Sequence, residues 1–233
     1  MWRPWASRHV LVVAVGIAVA APSLPVPAFA AALQHTNLTQ SASEGSAARL
    51  VYQTRHGPVA PEQLPSGVFA FRSIPFAAPP VSALRWRSPQ PPAPWTAPLD
   101  TSPFPPMCVQ SGNMQLGSED CLYLYVYTTS APADAAADRK PVLLWVHGGG
   151  LQTGDGYLGS RAPPWLGGVY DGSRLAEEFG VVVVSVQYRL GALGFLASPE
   201  FMGEDGGVGN YGVQDQRAGM QWVRDNIANF GGE

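Results

Sequence analysis

The stretch PVLLWVHGGG, residues 141–150, sets a histidine and three glycines at the end of an apolar run. Bare backbone at that place can serve three ends. A phosphate cradle calls for Lys and Ser or Thr after the glycines, with a helix starting there. Leu151-Gln152-Thr153-Gly154 follows instead, with no lysine. A plain turn needs one or two glycines, and three in a row cost extra backbone entropy. The remaining use is an oxyanion hole, in which uncovered amide N–H groups receive the negative charge of a tetrahedral intermediate. One such donor is worth roughly 2.7 to 4 kcal/mol of transition-state stabilisation.

The rest of the chain is consistent with a packed domain around that loop. It has 233 residues, 46% hydrophobic and 13% charged, with a net charge of −3. That is enough for one sizeable core and too little for two domains. No block of basic residues marks a nucleic-acid surface.

Residues 1–30 read as a secretory signal peptide. Arg3, Arg8 and His9 precede the apolar stretch Val10 to Ala21. Prolines at 22, 25 and 27 break it, and Ala28-Phe29-Ala30 places small residues where a signal peptidase reads. Twelve apolar residues are too few to span a bilayer. Cleavage after Ala30 removes two arginines and no acid, taking the charge from −3 to −5. The expected product is exported, extracellular or periplasmic, and free of the membrane. In that setting the two cysteines, Cys108 and Cys121, favour a disulfide, worth about 3 kcal/mol in the chain-entropy model. No further Cys or His stands at ligand spacing, so a metal site is not expected. Asn37-Leu38-Thr39 forms a glycosylation sequon.

Several elements must position the glycines. RLVYQT (49–54), GVFAF (67–71) and CLYLYVYTT (121–129) read as strands. Residues 75–106 hold eleven prolines among Phe76, Trp86, Trp95 and Phe104, an ordered extended segment wrapped over a surface. PVLLWV is apolar on both faces, as in a central parallel strand. DGSRLAEEFG (171–180) predicts a short helix with Leu175 and Phe179 on one face. VVVVSVQY (181–188) is a second buried strand. Val213 to Phe230 predicts an amphipathic helix whose apolar positions are Met220, Val223, Ile227 and Phe230. Strand, helix, strand and helix make an α/β fold.

Beyond the glycines, FRSIPFAAPP, SEDCLYLYVYT, YDG, VVVVSVQYRLGALGFL, GNYGVQDQ and WVRDNIANFGG follow one another from Phe71 to Gly232. In order and spacing the chain resembles the type-B carboxylesterases, the group that includes the cholinesterases. The resemblance implies the N-terminal part of an α/β-hydrolase fold spanning residues 31–233, with the central sheet incomplete. It implies hydrolysis of small carboxylic esters, without a cofactor, by a serine nucleophile, a histidine base and an acid. Gly149 and Gly150 would donate the oxyanion N–H groups and Gly148 would shape the turn. His147 would pack or orient the loop rather than act as base. Cys108 and Cys121 match the family's first disulfide. Arg85 with Glu119, and Arg189 with Asp215, match its buried ion pairs, and Asn210 and Asp215 would fix the entry to the last helix. Tyr157 and Trp165 are candidates for the gorge wall.

The chain departs from that pattern in places. Ser73, Tyr125 and Leu151 replace the usual Gly, Asn and Phe. The loop between the cysteines, VQSGNMQLGSED, has no aromatic ring, which argues against a quaternary ammonium substrate. No serine sits in G-x-S-x-G; Ser46, Ser160 and Ser173 each follow a glycine directly. In the family that elbow comes shortly after NFGG, so serine, acid and base are all expected past Glu233. Residues 1–233 by themselves are then expected to be inactive and marginally folded, with Val142 to Val146 an exposed sheet edge. The alternative function is that of an esterase-like binding or adhesion protein without the serine.

Overall fold

The computed structural model describes residues 10–14, 50–110, 117–157, 168–201 and 209–233, and of residues 10–14 the backbone alone. The sequon at Asn37, Ser46, Ser160 and Trp165 lie outside the described residues.

Among the described residues nine strands form two sheets. They are β1 Val10–Ala14, β2 Tyr52–Gln53, β3 Pro58–Ala60, β4 Glu62–Gln63, β5 Phe69–Pro75, β6 Leu99–Asp100, β7 Tyr123–Thr128, β8 Val142–Val146 and β9 Val182–Val186. The large sheet runs β1-β8-β9-β7-β5-β4, and the small one β2-β3-β6. β1, β8 and β9 are parallel, while β7, β5 and β4 alternate in direction. The sheet is therefore mixed, with its parallel half carrying the glycine loop. The helices are α1 Ser173–Phe179, α2 Gly191–Phe195 and α3 Tyr211–Asn226, with a 3-10 turn Ile227–Phe230 continuing the last.

Alternation along the strands divides the core in two. Leu124, Val126, Val142, Leu144, Val182, Val184 and Val186 cluster with Trp222, Val223 and Phe230 of the α3 side. Tyr125, Tyr127 and Val183 point the other way and meet Ala176 of α1. A sheet covered on both faces explains why β9 is buried at every position, and why its sequence is a run of valines.

α1 turns differently from its apolar pattern, whereas α3 and its 3-10 extension depart from theirs only at Met220, since Val223, Ile227 and Phe230 are buried. Leu175 and Phe179 are exposed, Phe179 by 67%, and Ala176 faces the sheet. α1 has only seven residues, and its glycine neighbour Gly172 lies so near Val183 and Tyr127 that close approach requires small residues. In α3 Met220 is exposed, while Tyr211, Gly212, Asp215, Gly219, Trp222, Val223 and Asn226 are buried. A Cβ on Gly219 would stand 2.7 Å from Val186 Cγ1, so the helix lies on the sheet along its smallest residues.

The edge of β8 is not bare. β1 pairs with it in parallel register, Val10 opposite Val142 through Ala14 opposite Val146. While residues 10–14 are attached, the edge expected to be exposed is therefore covered by an apolar strand, which satisfies backbone groups that would otherwise be unpaired.

The proline-rich segment is ordered by specific contacts. Trp95 Nε1 donates to Pro58 O at 2.7 Å, and Trp86 stacks on Phe201 at 4.5 Å. Replacing Gly219 by Val should lower stability by about 1–3 kcal/mol through overpacking against Val186. A reduced urea midpoint with an unchanged slope is the expected reading.

Candidate active site

β8 ends at Val146, and His147 begins the loop. His147 is buried, stacked on Tyr188 at 4.4 Å, and its carbonyl accepts the Tyr188 hydroxyl at 2.8 Å. Its Nδ1 lies 2.9 Å from Gly148 O. A carbonyl only accepts, so Nδ1 bears the proton and donates. Burial lowers the imidazole pKa from 6.5, opposed by the Gly148 hydrogen bond and by Asp155. The ring is a neutral, fixed donor.

That bond has a geometric consequence. Gly148 C=O and Gly149 N–H belong to one planar peptide unit, and no peptide is cis among the described residues. In a trans unit the N–H points opposite to the C=O. By holding Gly148 O, His147 fixes the direction of Gly149 N–H. The next unit is treated the same way. Gly149 O accepts Gln152 N and Thr153 N, each at 3.1 Å, and Thr153 Oγ1 at 3.3 Å. Gly150 N–H, in the same trans unit, points away from Gln152 and Thr153. Neither Gly149 N–H nor Gly150 N–H has an acceptor among the described residues.

Backbone angles state why glycine is needed. Gly149 has φ 121° and Gly150 φ 62°. A Cβ on Gly149 would sit 1.9 Å from Thr153 O. At Gly150 there is open space, and the angle alone favours glycine. Leu151 follows with φ 61°, a left-handed residue with a side chain, and its carbonyl accepts Gly191 N at 2.8 Å. The loop closes at Gly154, where a Cβ would lie 2.4 Å from His147 Nδ1.

Arg189 and Asp215 hold the neighbouring segment. Arg189 Nε and Nη2 donate to the two carboxylate oxygens at 2.8 Å each, and its backbone N donates at 3.0 Å. The side chains are 4% and 0% exposed. Burial raises the Asp215 pKa, and the hydrogen bonds and charge of Arg189 oppose the shift. Gly194 and Gly212 both press on Arg189 O, so α2, the start of α3 and the Leu151 contact share one anchor. Asn210 enters α3 in left-handed backbone, without a side-chain cap.

Arg85 and Glu119 differ from the expectation of burial. They form a bidentate pair at 2.6 Å, with side chains 40% and 24% exposed. The pair sits on the surface because Arg85 follows a 3-10 turn with no buried residue. Cys108 and Cys121 form a disulfide, 1.99 Å between sulfurs. Tyr157 lies against Tyr125 and Phe104, its hydroxyl donating to Asp171 at 3.2 Å. Ser73 and Tyr123 border a cavity of about 440 Å³ that residues 147–154 do not line.

Sequence reasoning passed over Gln110, Gly154 and Tyr188. All three act on the loop through hydrogen bonds or close contact formed across the fold. The only signal was Gly154 itself, the fourth glycine after His147.

The parallel strand β8 thus runs into a loop with two amides that have no acceptor among the described residues. The chain belongs to the Carboxylesterase family, whose profile matches residues 49–233. It is 43% identical over 193 residues to the Fumonisin B1 esterase of Sphingopyxis macrogoltabida, covering 79% of this chain and 33% of that one. It is 42% identical over 189 residues to a liver carboxylesterase of Sus scrofa, covering 74% and 30%. The Geobacillus stearothermophilus carboxylesterase EST55 superposes with a TM-score of 0.67 at 37% identity, over 79% of this chain and 36% of that structure. A thermophilic pNB esterase gives 0.66 at 35% identity, over 79% and 36%. The fold is that part of the α/β-hydrolase architecture, and the chain spans about a third of the length of the curated relatives it matches.

Two outcomes follow from these contacts. Because the folded His147 pKa lies below its unfolded value, the unfolded chain takes up the proton first. Stability therefore falls as pH drops below about 6.5. In His147→Asn, which keeps a short N–H donor, the fall in Tm between pH 7.5 and pH 5.5 should shrink. Asp215→Ala leaves a buried guanidinium without its partner and should cost about 3–5 kcal/mol, read by urea unfolding.

Proposed function

We propose that this chain contributes the oxyanion-binding part of a serine carboxylic ester hydrolase acting through an acyl-enzyme. Membership of the Carboxylesterase family supports ester hydrolysis as the reaction class. The observation that carries the assignment to residues is the pair of oriented amides of Gly149 and Gly150, which have no acceptor among the described residues. A serine hydroxyl attacks the ester carbonyl carbon while a histidine takes its proton. The carbonyl oxygen becomes an alkoxide, and the two amides donate to it. Collapse expels the alcohol, protonated by the same histidine. Water then attacks the acyl-enzyme by the same route and releases the acid. Gly148 shapes the loop and presents its carbonyl to His147. Residues 1–233 hold no G-x-S-x-G, so the serine, acid and base are not assigned to residues of this chain.

The substrate class is a small carboxylic ester. Residues 1–30 act as an export leader, and residues 31–233 form the N-terminal portion of the catalytic domain. Removal of the leader takes β1 with it and leaves the β8 edge for another strand. An N-terminal sequence beginning at Ala31 in the exported product is the expected result.

The decisive assay uses a chromogenic short-chain ester. Residues 1–233 should show no turnover, and the protein extended past Glu233 should hydrolyse it. In the extended protein Gly149→Ala keeps the N–H but its Cβ would meet Thr153 O and displace it; kcat should fall by up to about 10²–10³-fold, the size of losing one oxyanion donor. An extended protein without the elbow serine, and without turnover, would assign the fold to binding rather than catalysis.

A further inference from the structure

We infer that Gln110, in the loop closed by the disulfide, is a positioning residue for the oxyanion amides, an inference that rests on the hydrolase reading above. Its carboxamide makes a two-way pair with the backbone of Gly154. Nε2 donates to Gly154 O at 2.8 Å, and Gly154 N donates to Oε1 at 2.9 Å. The same Nε2 reaches Cys108 O at 3.1 Å. Donor and acceptor are used together, so the carboxamide is fixed in one orientation, as a backbone peptide would be in a ladder.

The contact acts at the far stem of the glycine loop. Gly154 stands so near His147 Nδ1 and Gly148 O that a Cβ there would lie 2.4 and 2.6 Å from them. Gln110 thus holds Gly154 against the very hydrogen bond that directs Gly149 N–H. The hold is rooted in rigid structure. Cys108 is joined to Cys121, whose carbonyl accepts Tyr123 N at 2.9 Å at the start of β7 and Gln187 Nε2 at 3.4 Å just beyond β9. A path of covalent and hydrogen bonds runs from the sheet through the disulfide and Gln110 to the loop. Gln110 touches no reacting atom; it keeps two amides from reorienting, and preorganised donors are the ones that stabilise a developing charge.

The Gln110→Met variant preserves the length of the side chain and removes both hydrogen bonds to Gly154. In the full-length protein kcat should fall about tenfold with KM within twofold and Tm unchanged, the split expected when a donor is misaimed only in the transition state. Amide exchange at Gln152 and Thr153, whose N–H groups bond Gly149 O, should accelerate together with that at Gly154. An unchanged kcat, or a loss of activity that merely tracks a lower Tm, overturns the inference. Should the wild-type full-length protein lack esterase activity, the hydrolase reading fails by itself. Exchange then decides the positioning: acceleration at Gln152 and Thr153 supports the clamp, and acceleration confined to Gly154 refutes it.

Discussion

A planar trans peptide points its N–H away from its C=O, and the glycine loop depends on that constraint. An oxyanion donor, the role proposed for Gly149 and Gly150, must have no partner at rest and yet must not rotate. The chain meets both demands by bonding the opposite end of each peptide unit. His147 holds Gly148 O, and Gln152 and Thr153 hold Gly149 O, so two N–H groups are oriented while having no acceptor among the described residues. Burial of the imidazole keeps it neutral, with the proton on the nitrogen that donates.

The surrounding architecture is organised around keeping that loop still. The parallel strands β8 and β9 fix its start, with Tyr188 from beyond β9 gripping His147 by stacking and by a hydrogen bond. The buried Arg189–Asp215 pair fixes the segment that bonds Leu151 O through Gly191 N. The disulfide loop fixes the end through Gln110. Each of these supports comes from a different element, and each reaches the loop through backbone. Glycines stand at these close approaches: Gly154 against the His147 ring and Gly148 O, Gly194 and Gly212 against Arg189 O, and Gly219 against the Val186 side chain.

Much of this was legible from residue order. The valine run of β9 is buried at every position because its neighbours cover both faces, while the apolar VLLWV of β8 is buried at Val142 and Leu144 and half-buried at Leu143, Trp145 and Val146. The helix limits were also close to those expected. The face of α1 was not, and at the last helix Met220 alone departs, Val223, Ile227 and Phe230 being buried as expected. Phe179 and Met220 are exposed because close helix–sheet contact selects Ala176 and Gly219 instead, and a hydrophobicity pattern gives small residues little weight. Arg85 and Glu119 pair as expected yet remain partly in solvent, since charge complementarity in a sequence says nothing about depth.

The sequence by itself determined the fold class, the strand that ends in glycines, and the absence of a G-x-S-x-G serine within 233 residues. These follow from composition and spacing, which are local properties of the chain. Tertiary structure decided which way the amides point and what holds them. It also decided that Val10–Ala14 pairs along β8, a contact across about 130 residues that hydropathy read only as a leader. Hydrogen-bond direction depends on partners distant in sequence, as Gln110 and Gly154 are by 44 residues, and no local pattern encodes which of them will meet.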